Sequence, residues 1–499
     1  MKKNLCNILI IGAGPAGLTA GYLLAKENES SMIVESSNMV GGISRTPHYK
    51  NFYFDIGGHR FFSKSNAVER LWDEMLPDQL LTRPRESRIY YKKRFYHYPL
   101  KPLNALKQLG LIESTRCVLS YSKSKLKPRS VLNFEDWVVN HFGSRLYLHF
   151  FKTYTEKVWG MPCEEISSDW AAQRIQGMSL ANAIINAFIP ASIKNRKKAA
   201  IKSLTGTFRY PPRGPGMLWE SCANLYENNG GKLIKNTAVT RCEFNKDNKE
   251  WKVTLEKSNK EIEIVFCKHI ISSAPIKNLV CDFLNPTVDS DCFQAASQLR
   301  YRDFLIVVLI LKDKKLLTDN WIYIHDRDVD VGRIQNFKSW SPEMVPDPTL
   351  ASYGLEYFCN ENDALWNMND EQLIAKASTE IVKIGLASPE DILDGCVVRQ
   401  HKAYPVYDHA YQDHLNIIQK TLKRDYPNLH LVGRNGLHKY NNQDHSMMTA
   451  MMTVQNILAD KNLYNVWNVN QDDDYHEVNS TDTFDVKLGL RDTPNLASK

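Results

Sequence analysis

A glycine-rich turn near the start of the chain carries the first residue pattern with a clear chemical use. The residues with G-x-G-x-x-G spacing are Gly12, Ala13, Gly14, Pro15, Ala16 and Gly17. Glycines in this spacing let the backbone approach a pyrophosphate, and the first amides of a following helix attract its negative charge. Glu35 follows about twenty residues later, where a carboxylate can hold a ribose hydroxyl. The pattern predicts a site for the ADP half of a dinucleotide.

The turn needs a strand before it and a helix after it, and the hydropathy pattern supplies both. Residues 7–11 are an apolar run that predicts a buried strand, and residues 18–26 predict a helix. A second apolar run at residues 32–34 ends at Glu35 and predicts the neighbouring strand. This order of strand, glycine turn, helix, strand and acid is the unit that a dinucleotide fold requires.

A second set of glycines favours FAD over NAD as the dinucleotide. The set consists of Gly41, Gly42, Ile43 and Ser44. It resembles the second glycine motif of flavoproteins of the amine oxidase and glutathione reductase type, although an ordinary glycine turn would also explain it. Gly57, Gly58 and His59 follow, and they offer backbone with few side chains next to aromatic residues, which suits a flat isoalloxazine ring.

The composition is that of a globular protein with room for two or three domains. Of 499 residues, 43% are hydrophobic and 24% are charged, and the formal net charge is +7. No apolar run approaches the roughly twenty residues of a membrane span, and no signal-peptide layout is present. The ten cysteines form no C-x-x-C or Cys/His cluster, so we expect no metal, no disulfide framework and a cytoplasmic location. Nothing resembles a nucleic-acid module. The basic run at 194–198 is interpreted as a solvated loop, with a phosphate or membrane contact as the alternative.

The strand and helix patterns divide the chain into interleaved domains. A Rossmann-like FAD-binding domain is expected to be discontinuous, because apolar strands that could rejoin it recur late in the sequence. Its predicted parts are residues 1–65, 216–280 and 425–462. The predicted insertions are a helical substrate domain at 100–200, a β-sheet substrate domain at 80–99, 201–215 and 281–424, and a peripheral tail at 463–499.

A polar run after the last predicted strand suits the same cofactor. Gly433 and Arg434 stand where many FAD enzymes carry Gly-Asp, and an arginine there can clamp a pyrophosphate with two parallel hydrogen bonds. A helix is expected to begin just beyond, with backbone amides that can meet the flavin O2 atom; its candidate residues are Asn442, Gln443, Asp444 and Ser446. A simpler role for Asp444, as the cap of that helix, is compatible with this one.

The chain as a whole resembles the UDP-galactopyranose mutase family, and its eukaryotic (fungal) branch in particular. This family lies within the superfamily of FAD-dependent amine oxidases and protoporphyrinogen oxidases. The resemblance covers nearly all of the chain. Besides the glycine motifs, it rests on Tyr98-Pro99, Phe134-Glu135-Asp136-Trp137, Lys157-Val158-Trp159, residues 170–174, Phe208-Arg209-Tyr210-Pro211, Gly332-Arg333, Tyr404-Pro405 and residues 442–446. It implies an α/β fold with a Rossmann-like FAD domain, an inserted helical domain and a mostly antiparallel β-sheet domain.

The resemblance implies a substrate site built around two arginines. The family holds a substrate diphosphate with one arginine from the helical domain and one from a strand, and these match Arg174 and Arg333. With His59, which matches a histidine under the flavin, they are the expected catalytic residues. Arg88 and Val239 match positions beside the cofactor. Residues that match substrate contacts are Tyr98, Trp159, Tyr323, Trp340, Tyr404 and Tyr440, although each tyrosine alone also fits a structural role.

The reaction that the resemblance implies is redox-neutral. It interconverts UDP-galactopyranose and UDP-galactofuranose, or a close analogue, for polysaccharide biosynthesis, with N5 of reduced FAD as the nucleophile at the anomeric carbon. By family analogy NAD(P)H would be the reductant, although no second dinucleotide motif appears. Trp340, where the family often has tyrosine, and a divergent segment after Arg174 leave the sugar open. A homo-oligomer also stays open.

Two other interpretations remain. One is an FAD-dependent oxidase or dehydrogenase of the amine oxidase or protoporphyrinogen oxidase type. The other is a non-enzymatic FAD-fold partner in a polysaccharide-synthesis complex.

Overall fold

A parallel five-stranded sheet organises the nucleotide-binding half of the protein. The computed structural model describes residues 4–98, 102–175 and 206–470, and for residues 4, 102, 103, 106 and 172–175 only the backbone. The strands follow the order Lys232–Ile234, Ser31–Val34, Ile8–Ile11, His269–Ser272 and Leu429–Leu431. All neighbours are parallel, with Ile8 opposite Ser31 and His269 opposite Ile8. The predicted α/β fold, with strands drawn from the start, middle and end of the described chain, is confirmed.

Three helices pack together beside this sheet. The first, Pro15–Lys26, contacts Gly216–Asn228 and Gln443–Leu458. It begins three residues before the predicted start, because a proline is well suited to the first helical position. The last helix is capped by Asn442, whose side chain accepts from the backbone of His445. Asn442, and not Asp444, is therefore the cap.

A second sheet is mostly antiparallel, and its three main strands lie in the sequence between two strands of the first sheet. Its meander consists of Thr237–Asn245, Glu250–Lys257 and Ile262–Cys267, with the short edge strands Asn4–Leu5 and Leu284–Asn285. Alternate side chains of the middle strand are buried, as expected for a sheet with one covered face. This sheet brings Val239 to the edge of the nucleotide site.

A seven-stranded sheet forms the floor of the other half. Its order is Ile392–Pro405, Tyr301–Lys312, Leu350–Cys359, Arg333–Asn336, Trp321–Ile324, Ser87–Tyr91 and Arg94–His97. The alternating residues at 87–91 and 94–99 predict a hairpin with its turn at Lys92-Lys93, and the last two strands form it. The helix Asp370–Ile384 covers one face of the sheet.

A layer of helices stands above the opposite face. Its members are Pro102–Leu109, Leu111–Leu126, Phe134–Phe142, Ser144–Phe150, Lys152–Trp159 and Ser168–Ile175. The sequence predicts one helix from Arg145 to Tyr154, but the backbone leaves helical geometry at Phe151. The break lets the next helix carry its side chains into a cavity between the layers. The predicted helix at 181–188 and the basic run at 194–198 lie outside the described residues.

Smaller elements connect these layers. In the described chain the remaining helices of four residues or more are Asn66–Met75, the π-helix Leu279–Phe283, Ser290–Gln298, Phe337–Trp340 and Tyr411–Asp425. Two ribbons pair His48–Tyr49 with Phe52–Tyr53 and Leu81–Pro84 with Thr207–Tyr210. Residues 464–470 pack against the last helix through hydrogen bonds between Asn456 and Tyr464. The rest of the predicted tail lies outside the described residues. Within the described chain, no helix combines the length and apolar character needed to cross a bilayer.

Candidate active site

A cavity of about 820 Å³ lies at the carboxyl ends of the parallel strands. The residues that follow four of these strands, Gly12, Glu35, Ser273 and Gly433, all line it. This edge is where doubly wound sheets bind nucleotides. The predicted cofactor residues on its wall are Gly12, Gly14, Pro15, Ala16, Glu35, Gly42, Ile43, Ser44, Val239, Gly433, Arg434, Gln443 and Ser446.

The two glycine motifs pack directly against each other at the wall of this cavity. A Cβ atom added to Gly42 would lie 3.2 Å from the Cα atom of Gly14, and Gly42 has φ +55°. Gly41 donates its backbone N–H to the carbonyl of Ala13 at 2.8 Å and holds the second motif against the first. Gly17 acts inside the turn, since an added Cβ would lie 1.8 Å from the Gly12 carbonyl oxygen. Gly17 and Gly41 therefore shape the cavity without lining it.

Glu35 is positioned by the backbone of both motifs. Its Oε2 atom accepts from the N–H of Ala13 at 2.8 Å, and Oε1 accepts from Ser37 at 2.9 Å. Arg45, which sequence reasoning did not select, also lines the cavity and donates to the carbonyl of Gly42 at 2.9 Å. Burial lowers the pKa of Arg45, and the nearby charge of Glu35 opposes that shift. The only feature of the sequence that could have indicated Arg45 as a cavity residue was its position shortly after the glycine pair Gly41-Gly42.

A second cavity, of about 340 Å³, adjoins the first. Ile43, Arg434 and Gln443 line both. The predicted residues on its wall are Gly57, Gly58, His59, Tyr98, Trp159, Tyr323, Arg333, Trp340, Arg434, Tyr404, Tyr440, Asn442, Gln443 and Asp444. Residues from the nucleotide half, the seven-stranded sheet and the helical layer thus meet around one space.

Arg333 is the most firmly held cation of this second cavity. It lies on the strand Arg333–Asn336, and its Nε atom donates to Oε2 of Glu356 at 2.5 Å. Glu356 is fully buried, and its other oxygen accepts from Gln335, also at 2.5 Å. Burial alone would lower the pKa of Arg333, but Glu356 and the surrounding tyrosines raise it well above its usual value. Arg333 is therefore a fixed positive charge on the cavity wall.

His59 is neutral in the folded protein. Its Nδ1 atom lies 3.0 Å from the carbonyl oxygen of Gly57, so Nδ1 carries the proton that is donated there. Burial, followed by the charge of Arg434, lowers the pKa of His59 to about 3. The half-buried ring lines the cavity with Nε2 as a hydrogen-bond acceptor. Trp340 supports this loop from below, since its ring lies 3.3 Å from a Cβ built on Gly58.

Arg434 lies where the two cavities meet. Its Nε atom donates to the carbonyl of Asn441 at 2.9 Å, and Nη1 donates to that of Ala403 at 3.0 Å. The guanidinium also lies over the rings of Tyr404 and Tyr440, at 5.6 and 4.9 Å from their centroids. These two rings are stacked, with centroids 5.4 Å apart. Arg434 is thus pre-oriented by backbone carbonyls and aromatic faces.

Aromatic side chains form the far wall. Tyr323 contacts Tyr98 at 4.9 Å and Tyr154 at 5.4 Å between ring centroids. Trp170 contacts Trp159 at 4.7 Å and Tyr440 at 5.0 Å. Sequence reasoning missed Tyr154 as a lining residue. The helical spacing between Tyr154 and the selected Trp159 was too weak a signal to separate a cavity residue from a core residue.

A protein-family model matches most of this chain. The model for flavin-containing amine oxidoreductases matches residues 15–441. The chain belongs to the flavin-containing amine oxidoreductase family. The prediction of FAD as the cofactor is confirmed by this membership.

Individual relatives of this flavoprotein agree on the fold. The structure is similar to that of reduced UDP-galactopyranose mutase, with a TM-score of 0.77, 23% identity and coverage of 91% of this chain and 94% of that one. It is also similar to putrescine oxidase bound to putrescine, with a TM-score of 0.59, 14% identity and coverage of 91% and 99%. These identities show a shared fold only.

Sequence matches to curated relatives are confined to short segments. One is an L-amino acid oxidase of Crotalus durissus cumanensis, 39% identical over 68 residues, 14% of each chain. Another is ferredoxin–NADP reductase 2 of Listeria monocytogenes, 33% identical over 76 residues, 15% of this chain and 23% of the relative. The matched part is about one seventh of the length of the L-amino acid oxidase.

The residues of the flavoprotein fit FAD. The closely packed glycines Gly12, Gly14 and Gly42 line the cavity with backbone alone, and Arg434 supplies a cation on the same wall. Two buried side-chain oxygens on the wall, Oδ1 of Asn435 and Oε1 of Gln443, have no hydrogen-bond partner among the described residues. Buried polar atoms of this kind normally have partners, which a bound cofactor can provide.

Arg88 is not brought to the cavities, and the side chain of Arg174 is not among the described parts of the structure. Arg88 lies outside both, because its guanidinium pairs with Asp319 at 2.5 Å and lies 4.3 Å from the ring of Phe95. Arg174 lies in the helix Ser168–Ile175, four residues after the cavity residue Trp170, but its side chain is outside the described part of the structure.

Proposed function

We propose that this flavoprotein is a nucleotide-sugar mutase that interconverts the pyranose and furanose forms of a UDP-sugar, UDP-galactose or a close analogue. The observation that carries the proposal is Arg333, a buried guanidinium that Glu356 orients toward the second cavity. A guanidinium held in this way matches the geometry and charge of a diphosphate. The similarity to reduced UDP-galactopyranose mutase supports the same substrate class.

The charge of the cavity supports an anionic substrate. Its described lining contains the cations Arg60, Arg333 and Arg434 and a single carboxylate, Asp444. A positive cavity attracts a nucleoside diphosphate and disfavours a protonated amine. We propose Arg174 as a further diphosphate ligand, on the basis of the family resemblance and its position in the helix of Trp170.

The proposed chemistry divides the work between cofactor and protein. Reduced FAD supplies a nucleophilic nitrogen, N5, for the anomeric carbon of the sugar. Arg333 stabilises the charge that develops on the UDP leaving group and keeps UDP in the site until it is needed again. His59 holds the loop Gly57–Gly58 through its Nδ1 proton and presents Nε2 as an acceptor on the cavity wall.

The tyrosines and tryptophans would enclose the substrate. Tyr98, Tyr323, Tyr404 and Tyr440 place aromatic faces or hydroxyls on the cavity wall, and Trp159 packs against Trp170 behind them. Burial raises the pKa of Tyr404, so its hydroxyl stays protonated and can donate to a phosphate or sugar oxygen. The proposed reaction transfers no net electrons.

An oxidase is the second candidate, because a specific observation favours it. The family model is named for amine oxidoreductases, and the relatives that match a short segment of this chain include L-amino acid oxidases. The carboxylate of an amino acid would also suit Arg333. Such an enzyme would transfer electrons from its substrate to the flavin.

One experiment separates the two candidates. FAD-loaded protein is reduced with dithionite and incubated without oxygen with a panel of UDP- and dTDP-sugars, and the products are separated by chromatography. The mutase proposal predicts a new isomer of one sugar nucleotide with reduced enzyme and none with oxidised enzyme. The proposal is wrong if every sugar nucleotide is returned unchanged while an amino acid or amine bleaches the oxidised flavin.

A further inference from the structure

The helix Leu111–Leu126 presents its apolar side chains to solvent instead of to the protein. Its inward side consists of small or polar residues, among them the buried Ser114 and Cys117. A surface helix normally buries its apolar stripe, so this helix is inverted. The exposed fractions of its apolar residues are 84% for Leu111, 73% for Ile112, 40% for Val118, 64% for Leu119 and 84% for Leu126.

The apolar side chains of the helix lie on one side of it. Successive residues of a helix are rotated by about 100°, which places Leu111, Ile112, Leu119 and Leu126 within roughly a third of the circumference. The segment that follows the helix adds Val131 and Leu132, which are 46% and 73% exposed. We call this set of side chains, from Leu111 to Leu132, the apolar face. Exposed apolar surface of this kind marks an interaction site.

Cations border the apolar face on both sides. By the same rotation, Arg116 and Lys123 lie along one border and Lys125 along the other, and Lys127 follows the helix. No ion pair joins these three lysines to an acidic residue within the described ranges. The acid of the helix, Glu113, pairs with Arg145 at 2.9 Å and with His149 at 3.0 Å, and it also lies 3.5 Å from Arg116, so the lysines are the border cations that matter here.

We propose that the apolar face binds the surface of a membrane that contains anionic phospholipids. An interfacial helix buries its apolar side chains at the level of the acyl chains, and flanking lysines extend along the surface to reach the head groups. Negative lipid charge matches the positive charge of these lysines. A symmetric contact between two copies of this chain would bring the same cations together, so the charge pattern disfavours it.

The proposed contact leaves the catalytic half of the molecule free. None of the residues of the apolar face lines either cavity. The enzyme would therefore rest on the bilayer through the outer side of its helical layer, with no segment crossing it. This inference does not depend on which reaction the flavin site performs.

Vesicle co-sedimentation of the full-length, FAD-loaded protein tests the proposal. The vesicles contain phosphatidylcholine alone or a mixture with phosphatidylglycerol, at low and at high salt. We expect binding to the mixed vesicles only, weakened by salt. Leu119→Glu and Leu126→Glu should each reduce vesicle affinity about tenfold or more, and Lys123→Gln or Lys125→Gln about fivefold.

Matched variants control for general effects of charge. Leu393→Glu changes a leucine of the seven-stranded sheet that is 51% exposed, and Lys260→Gln removes a cation from the antiparallel meander; neither should change sedimentation. Flavin absorbance and the melting temperature check the folding of every variant. The proposal is overturned if the wild type ignores anionic vesicles or if Leu119→Glu binds as the wild type does. It is equally overturned if light scattering shows a dimer that Leu119→Glu dissociates while vesicles remain unbound.

Discussion

Arg333 is oriented toward the second cavity by Glu356. Its Nε atom donates a hydrogen bond of 2.5 Å to Oε2 of Glu356, whose side chain is fully buried. The two residues lie on neighbouring antiparallel strands and are directly opposite each other in register. The sheet thus fixes the direction of a charged fork before any ligand arrives. Such preorganisation is what stabilisation of a leaving diphosphate requires.

Removing the charge of Glu356 should damage stability and binding together. Glu356→Gln leaves Arg333 as a buried charge without its partner, and breaking a buried pair costs about 3–5 kcal/mol of unfolding free energy. We expect this loss in urea denaturation, and weaker binding of UDP by calorimetry. Asp391→Asn, which changes another buried carboxylate outside the cavities, is the control for binding. Unchanged UDP affinity in Glu356→Gln would contradict the orienting role.

Substitution of Arg333 itself should separate catalysis from cofactor binding. Arg333→Lys keeps the charge but loses the planar fork, so we expect kcat/KM for the nucleotide sugar to fall about 100-fold or more. The flavin content, read from the absorbance spectrum, should not change, because Arg333 lies outside the nucleotide cavity. Arg88→Lys, at an arginine outside both cavities, should keep full activity if it folds. A flavin-free Arg333→Lys would assign this residue to the cofactor instead.

Lys157 is expected to position the aromatic wall. Its Nζ atom lies 2.9 to 3.2 Å from the carbonyl oxygens of Ile324, Asp326, Val329 and Val331, and so ties the helix of Tyr154 and Trp159 to the sheet. Lys157→Met would leave these carbonyls without a donor, at about 1–3 kcal/mol for each one that stays buried and unpaired.

The readout for Lys157 separates positioning from folding. We expect KM for the nucleotide sugar to rise more than kcat falls, measured well below the melting temperature. Lys152→Met removes a cation of the same helix that pairs with Glu156 and Glu164 near the surface, and should leave KM unchanged. An unchanged KM in Lys157→Met would rule out the positioning role.

The stability of the fold should decrease in mild acid. Burial lowers the pKa of His325 to about 3 and that of His438 to about 4, from an ordinary value of 6.5. Between pH 6.5 and 4 the unfolded chain therefore binds protons that the native protein does not, and the unfolding free energy falls as the pH falls. Each histidine contributes at most about 1.4 kcal/mol per pH unit.

Urea titrations at several pH values measure this effect. His325→Phe should lower the slope of unfolding free energy against pH, between pH 6.5 and 4, by the contribution of about one proton. His97→Gln, at an exposed histidine, should leave that slope unchanged. A slope identical in His325→Phe and the wild type would mean that His325 does not stay neutral in the native protein.

The nucleotide-binding half could be predicted because its strand, glycine turn and helix can each be recognised in a short stretch of sequence. Gly12, Gly17 and Glu35 lie within one βαβ unit, whose periodicity and spacing are legible in a short window. The same holds for Gly433 and the helix that follows it. The physical reason is that the strand, the turn and the helix that form each part of this site are neighbours in sequence.

The partners of the charged residues could not be predicted in this way. Arg88 was placed beside the cofactor by resemblance, but its partner Asp319 is 231 positions away and draws it elsewhere. Lys157 and its acceptor carbonyls are separated by at least 167 positions, so no spacing rule connects them. Asn442, and not Asp444, caps the last helix, because the helix begins at Gln443 and the backbone of Asn442 is extended.

The most direct test of the mutase proposal is turnover of UDP-galactofuranose by the reduced, FAD-loaded enzyme without oxygen. The proposed role of Arg333 predicts many equivalents of UDP-galactopyranose per enzyme, a flavin that remains reduced at the end, and loss of turnover in Arg333→Lys. Recovery of UDP-galactofuranose unchanged, together with reduction of the oxidised flavin by an amino acid, would contradict it and favour the oxidase.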